Sequence, residues 1–239
     1  MLQTALNQAE STSHTIEIAV AGEQIVCDQR GIIYIPSLRL LTVSDLHLEK
    51  GSSLARRGVF MPPYDSGATL LRLQSVIAQY DPKTVVSLGD SFHDGEGAAR
   101  LPATYRDHLC TLMAGRDWIW IAGNHDPHAP GDLPGDTATE VAISALRFRH
   151  EPSPDNGFGE IAGHLHPGAR IVRRGRSVRR ACFASDGERL IMPAFGSFTG
   201  TLNVLDDAYR GLFSPTAFKA YMIGRDRLYA VSGKSLCPG

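Results

Sequence analysis

Histidine, aspartate and asparagine side chains stand in four short clusters, and each cluster follows an apolar run typical of a β-strand. The clusters read DLH at 45–47, GDSFHD at 89–94, GNHD at 123–126 and GHLH at 163–166. Carboxylate and imidazole groups can bind divalent metal ions, and a pair of such ions activates water for hydrolysis of phosphate esters. Ligands of open α/β sheets bind beyond the carboxyl ends of the strands, so we expect the four clusters to converge on one site.

Each cluster taken alone has a simpler interpretation. An Asp-x-His sequence is frequent by chance, and a single buried histidine is more often a hydrogen-bonded core residue than a metal ligand. The ordered set of four is different, because without a metal it would bury clustered imidazoles and carboxylates at a high desolvation cost. We expect extended backbone at 45–47 and 164–166, which points side chains two residues apart in the same direction.

The hydrophobic patterns predict the elements that position these clusters. Residues 15–20 and 24–28 form a predicted hairpin, followed by β-rich runs at 32–35 and 38–43. Apolar periodicity predicts a helix at 66–79 with Ser66 as its N-cap and a second helix at 102–114, each followed by a buried strand. Beyond about residue 139 only strand patterns remain. This order predicts an α/β protein with two facing sheets and helices outside.

The composition is that of an ordinary folded protein. The chain has 239 residues, of which 43% are hydrophobic and 21% charged, which excludes a disordered chain, a collagen and a coiled coil. No apolar stretch approaches the ~20 residues of a membrane helix, and the first twenty residues lack the features of a secretory signal. The four cysteines form no CxxC pair. We therefore expect reduced thiols, a cytoplasmic location and no membrane contact, with a flexible terminus at 1–14 and one domain at 15–239.

The net charge of −1 hides a basic segment. Residues 147–180 contain eight arginines and three acidic residues, a local charge of +5. Arginine binds phosphate through two parallel hydrogen bonds, so the segment favours a track for a nucleic-acid backbone, although a solvated hairpin face has the same composition. The candidate nucleic-acid-binding residues are Arg170, Arg173, Arg174, Arg176 and Arg179.

The ordered set of clusters resembles the signature of the calcineurin-like metallophosphoesterases, from residue 15 onward. Within that family the chain is similar to the bacterial DNA-ligase-associated metallophosphoesterases, through DLHLEKG at 45–51, HEP at 150–152, GHLHP at 163–167 and MPAFGSFTG at 192–200. The resemblance implies a four-layer α/β/β/α sandwich of two mixed sheets flanked by helices.

The resemblance also implies a role for each residue of the clusters. The implied ligands of one metal are Asp45, His47 and His166, and those of the other are Asn124, His150 and His164. Asp90 corresponds to the carboxylate that bridges the two ions. His125 corresponds to the histidine beside the bound phosphate, and Asp126 to the acid that orients it.

Several neighbouring residues are open to two interpretations. His93 and Asp94 are either groups that orient the metal ligands or ordinary loop residues. Glu49 is expected to be a solvated loop charge. Gly89, Gly123 and Gly163 are expected to allow close approach of the backbone around the metals.

Oxygen and imidazole ligands favour Mn²⁺, with Fe, Zn²⁺ or Ni²⁺ as alternatives. The function implied is a binuclear-metal-dependent phosphodiesterase, a DNA endonuclease of DNA repair, with a DNA ligase and a helicase of the same system as partners. One alternative is the same site acting on small substrates, as a phosphomonoesterase or a cyclic-nucleotide phosphodiesterase. Another is a non-catalytic scaffold, which would be expected to have lost metal ligands or the histidine that contacts phosphate.

Overall fold

The computed structural model describes residues 14–60, 64–128, 131–155 and 157–239. The predicted flexible terminus therefore lies, except for His14, outside the described residues. No helix in the described chain is long and apolar enough to cross a membrane.

The first sheet contains seven strands in the order of the sequence. The strands are Thr15–Val20 (β1), Glu23–Asp28 (β2), Ile32–Ile35 (β3), Leu40–Val43 (β4), Thr84–Leu88 (β5), Asp117–Ile121 (β6) and Asp136–Ala138 (β7). Strands β1 to β4 pair antiparallel and β4 to β7 pair parallel. The inner parallel strands β4, β5 and β6 are largely apolar and buried because both of their faces are covered.

The second sheet contains nine strands and is also mixed. The strands are Glu140–Ile143 (β8), Leu146–Arg149 (β9), Glu160–Ala162 (β10), Pro167–Arg173 (β11), Arg176–Ser185 (β12), Arg189–Ile191 (β13), Leu202–Asn203 (β14), Lys219–Ile223 (β15) and Leu228–Ser232 (β16). The main path of the sheet runs β14-β11-β12-β13-β10-β9-β8, with β15 paired to β12 and β16 to β15.

The α-helices of the described chain all lie in its first half. They are Lys50–Arg56 (α1), Asp65–Tyr80 (α2), Gly97–Arg100 (α3) and Ala103–Met113 (α4). Helix α2 buries Leu70, Leu73 and Val76 at helical spacing against the first sheet. The prediction of Ser66 as its N-cap was wrong: the helix begins one residue earlier, and the Ser66 hydroxyl instead donates to Glu49 Oε1 at 2.8 Å.

Three apolar clusters hold these layers together. One joins the helices to the first sheet, and a second joins the two sheets through residues such as Leu88 and Phe148. The third covers the other face of the second sheet with Val204, Tyr209 and Phe218, which lie on loops and a single turn of 3₁₀ helix. The predicted fold class, two mixed sheets with helices outside, is confirmed. Its outermost layer over the second sheet is built from loops instead of α-helices.

Candidate metal centre

The carboxyl ends of five strands meet at one edge of the two facing sheets. In the first sheet, β4, β5 and β6 are parallel neighbours, so the residues that follow them lie side by side. In the second sheet β9 and β10 are likewise parallel. The residues delivered by these strand ends are Asp45, His47, Asp90, Asn124, His150, His164 and His166, which are all seven of the predicted ligands.

One group of ligand atoms comes from Asp45, His47 and His166. His166 Nε2 lies 3.1 Å from Asp45 Oδ1 and 3.4 Å from His47 Nε2. Asp45 Oδ1 is buried and accepts no hydrogen bond within the described chain. Two ring nitrogens facing each other beside an unsatisfied carboxylate oxygen fit a bound cation, since a divalent ion would satisfy all three.

A second group comes from Asp90, His150 and His164, with Asn124 between the two rings. Asn124 Oδ1 lies 2.9 Å from both His150 Nε2 and His164 Nδ1, and the two nitrogens are 3.2 Å apart. His150 donates its Nδ1–H to the Leu88 carbonyl at 2.7 Å. The pKa of His150 is raised to about 9, chiefly by its hydrogen bond to Asp90 working against burial. A metal ion would take the place of the Nε2 proton, and the hydrogen bond to Leu88 would then keep the remaining proton on Nδ1, as metal ligation by Nε2 requires.

Asp90 joins the two groups. Its Oδ1 lies 3.5 Å from His150 Nε2, while its Oδ2 lies 3.8 Å from His47 Nε2. One carboxylate thus presents one oxygen to each group, so Asp90 could help to hold an ion in both. Each group also draws residues from both sheets, so the centre lies across the interface between them.

Electrostatics favour charged carboxylates at this centre. Burial raises the pKa of Asp90, but the hydrogen bond from His150 and the charge on that ring outweigh it and bring the pKa to about 2. Burial also raises the pKa of Asp45, but the hydrogen bond from His166 and the charge of that ring outweigh burial, so the pKa is lowered. Burial lowers the pKa of His47 to about 3, which keeps that ring neutral and able to bind a cation.

The prediction of extended backbone at the two Asp/His-x-His pairs was wrong. Asp45 and His47 have φ of 52° and 43°, and His164 and His166 have 66° and 45°. All four lie in the left-handed region, which non-glycine residues rarely occupy. The side chains of each pair converge because the chain turns tightly after the strand. They do not converge through the alternation of side chains along an extended strand.

His125 lies beside the two groups without belonging to either. It donates its Nδ1–H to the His93 carbonyl at 2.9 Å, and its Nε2 lies 4.0 Å from Asp90 Oδ2. The side chain of His125 is 41% exposed, so it is open to a substrate. A third set of close ring nitrogens joins His125 to His47 and His93.

Comparison with known proteins identifies the scaffold on which this geometry is built. The family model of the calcineurin-like phosphoesterases matches residues 38–207. The chain belongs to this family. The crystal structure of a nuclease from Pseudomonas putida, called MPE, is similar with a TM-score of 0.69 and 30% sequence identity, over 91% of this chain and all of that one. No curated protein matches the chain.

The predicted family and enzyme class are therefore confirmed: the chain is a metal-dependent phosphoesterase. The two groups of ligand atoms agree with the family's use of divalent metals. The role of each individual residue stays a prediction, which the variants described below are designed to test.

The role predicted for Asp126 needs a correction. Its carboxylate was expected to orient His125, but Asp126 Oδ2 accepts from the Phe92 backbone N–H at 2.9 Å, and Oδ1 has no hydrogen-bond partner in the described chain. The His125 ring is held by the His93 carbonyl. Asp126 thus ties the 123–126 loop of the phosphoesterase to the 90–93 loop, and burial raises its pKa to about 6.

Three glycines allow these loops to approach each other, as predicted. A Cβ on Gly89 would collide with the His150 ring, one on Gly123 with the backbone nitrogen of Asp90, and one on Gly163 with the Ser44 hydroxyl. Ser44 was not anticipated from the sequence, yet its hydroxyl donates to Asp45 Oδ2.

Two further contacts of the phosphoesterase depend on distant parts of the chain. His93 Nδ1 lies 3.3 Å from His47 Nδ1, so His93 contacts the ring of a predicted ligand and is more than a loop residue. Glu49 is buried, and its backbone N–H donates to Ser66 Oγ at 2.8 Å. The expectation of a solvated Glu49 was wrong because α2 packs directly over the loop.

The arginine-rich segment forms the hairpin of β11 and β12, which leaves the metal centre directly after His166. Arg170 donates to Ser177 Oγ and the Pro238 carbonyl, and Arg179 donates to the Thr201 carbonyl. These two arginines therefore brace the hairpin. The three predicted nucleic-acid-binding arginines at its tip are exposed; they are Arg173, Arg174 and Arg176.

Proposed function

We propose that this phosphoesterase is a DNA endonuclease that acts in DNA repair, with two Mn²⁺ ions as its metals. The similarity to a nuclease over 91% of the chain is the observation that favours a nucleic-acid substrate. The oxygen and nitrogen donors of both ligand groups support Mn²⁺, since no cysteine belongs to either group. The remaining parts of the proposal are a cytoplasmic location and a DNA ligase and a helicase as partners, and they rest on the resemblance described above.

The side chains of the site have distinct tasks in such a reaction. When bound, two divalent ions neutralise the phosphate charge and lower the pKa of a water molecule. Asp90 holds the two ligand groups in register through its two oxygens. His125 directs Nε2 towards the centre because its Nδ1–H is engaged by the His93 carbonyl. A protonated His125 can therefore donate its Nε2–H to the departing oxygen of the substrate.

A circular DNA substrate provides the direct test. Because a circle has no ends, we expect the purified protein to cut it only when Mn²⁺ is added and to stop when a chelator is added. The measurement is conversion of circles to linear or nicked species on a gel. Hydrolysis of small phosphodiesters with intact circles would contradict the proposal and indicate the small-molecule esterase. No hydrolysis of either substrate would indicate the non-catalytic scaffold.

The arginine hairpin provides a second test of the nucleic-acid substrate. Arg173 and Arg176 are paired across the strands and both are exposed, so their side chains share one face near the tip. If each binds a phosphate, changing both to Ala should weaken DNA binding and flatten the slope of log affinity against log salt by about two. The measurement is a binding titration at several salt concentrations.

The matched control removes the same charge elsewhere. Arg210 and Arg225 are exposed and lie outside the hairpin, so their double Ala variant should keep the wild-type slope. An unchanged slope in the hairpin variant would show that the hairpin is a solvated face. An equal loss on DNA and on a small phosphodiester would show that the hairpin supports the fold near His166.

A further inference from the structure

Two cations beside the metal centre have no anionic partner. Lys50 begins α1 directly after the loop that carries His47, and Arg57 follows the last residue of the same helix. Neither side chain forms an ion pair within the described chain, whereas the adjacent Arg56 is paired with Glu96. We call Lys50 and Arg57 the basic lip.

The position of Lys50 is fixed by the loop that follows β13. Its Nζ donates to the Phe198 carbonyl at 2.9 Å, which uses one of its three N–H bonds. Burial lowers the pKa of Lys50, and the negative charge of Asp65 offsets only part of this effect. Asp65 forms no ion pair with Lys50 in the described chain, and its carboxylate accepts from the Gly51 backbone N–H at 2.9 Å. The other two N–H bonds of this half-buried cation have no acceptor among the described residues.

The loop that carries His93 lies between the basic lip and His125. The His93 ring stacks on His125 with the centroids 5.2 Å apart and contacts His47. The His93 backbone N–H donates to the Leu48 carbonyl at 2.9 Å, two residues before Lys50. Arg57 lines a cleft of about 410 Å³ whose wall includes Asp94 and Glu96, and these two carboxylates are paired with Arg100 and Arg56. Both ends of α1 therefore lie next to the loop that carries His93.

The scissile phosphate alone does not account for these cations. Its charge is neutralised at the two ligand groups, and His125 is the side chain placed to contact it. A second anion near His93 would use the free donors of Lys50 and the guanidinium of Arg57. A nucleic-acid strand supplies such an anion, because each scissile phosphate has a neighbour on the same chain.

We propose that the basic lip binds the phosphate adjacent to the scissile phosphate in a DNA strand. This proposal rests on the nucleic-acid substrate of the proposed function and adds a subsite to it. A lip of this kind favours a polynucleotide over a simple ester, since a simple ester has no second phosphate.

Short oligothymidylates test the proposal with Mn²⁺-loaded protein. The dinucleotide TpT contains only the scissile phosphate, whereas TpTpT contains a neighbour. For the wild type we expect kcat/KM to rise at least about tenfold from TpT to TpTpT, which corresponds to about 1.4 kcal/mol. In a Lys50→Gln, Arg57→Gln double variant this increase should disappear. An Arg56→Gln variant, which removes an adjacent but paired arginine, should keep it.

The outcomes distinguish this proposal from the proposed function. A wild type that cleaves neither oligonucleotides nor circular DNA, but does hydrolyse bis(p-nitrophenyl) phosphate, would overturn both. A wild type that cleaves DNA, with the same gain from TpT to TpTpT in the double variant, would overturn the basic lip alone. A parallel loss on TpT, TpTpT and the small ester would also overturn it, because Lys50 would then act by holding the Phe198 loop.

Discussion

An Asp90→Ala variant is expected to lose its phosphodiesterase activity together with most of its bound metal. Asp90 presents one oxygen to each ligand group, so its removal opens both groups at once. Metal ions supply several kcal/mol of transition-state stabilisation, which corresponds to a loss of at least about 10³-fold in kcat/KM. The measurements are hydrolysis of bis(p-nitrophenyl) phosphate and metal content by mass spectrometry after gel filtration.

Two further variants separate the chemistry from the fold. Asp90 has φ of 47°, a conformation that Asn tolerates better than Ala, so Asp90→Asn should fold normally and still lose metal. Asp81→Asn removes an exposed carboxylate from the C-terminus of α2 and should change neither quantity. Retention of two metals and a near-normal rate in Asp90→Ala would refute the shared ligand.

A His125→Ala variant is expected to keep its metals and lose turnover on DNA by roughly 10²–10⁴-fold, the usual size of an acid–base contribution. His125 belongs to neither of the two ligand groups joined by Asp90, although its Nε2 is only 4.0 Å from that carboxylate. The loss should be smaller for p-nitrophenyl esters, because p-nitrophenolate leaves without needing a proton. The measurement is kcat on both substrates alongside metal content.

A neighbouring histidine provides the control for this variant. His128 is exposed and lies outside all three sets of close nitrogen and oxygen atoms, so His128→Ala should retain the wild-type rate on both substrates. Equal losses of the His125 variant on esters of good and poor leaving groups would contradict proton donation. They would show that His125 stabilises the charge of the phosphate instead.

The sequence was sufficient to predict the fold class and the convergence of the ligand clusters. Both follow from a local pattern, in which a polar cluster comes directly after an apolar strand. Only the short HEP motif marks His150 in the sequence, yet its Nε2 lies 3.2 Å from His164 Nδ1. Its tautomer is set by the Leu88 carbonyl, 62 residues earlier, which no local pattern can predict.

Several contacts that the sequence did not reveal have a common physical cause. The burial of Glu49, the backbone partner of Asp126 and the engagement of Arg170 and Arg179 are all tertiary contacts. Each is made by a segment distant in sequence, such as Ser66 for Glu49. Patterns of residue type along a strand or helix contain no information about which loop will pack over it.

The left-handed backbone at the centre implies a trade-off between stability and function. Five predicted ligands occupy that region, and for an L-residue with a Cβ it costs roughly 1–2 kcal/mol each; they are Asp45, His47, Asp90, His164 and His166. Glycine adopts the same conformation without a Cβ clash. A glycine at any of the five would abolish the ligand and, at the same time, relieve the local strain. Random selection for thermostability alone should therefore enrich inactive sequences at these positions, and an engineer who wants a more robust enzyme must stabilise the chain elsewhere.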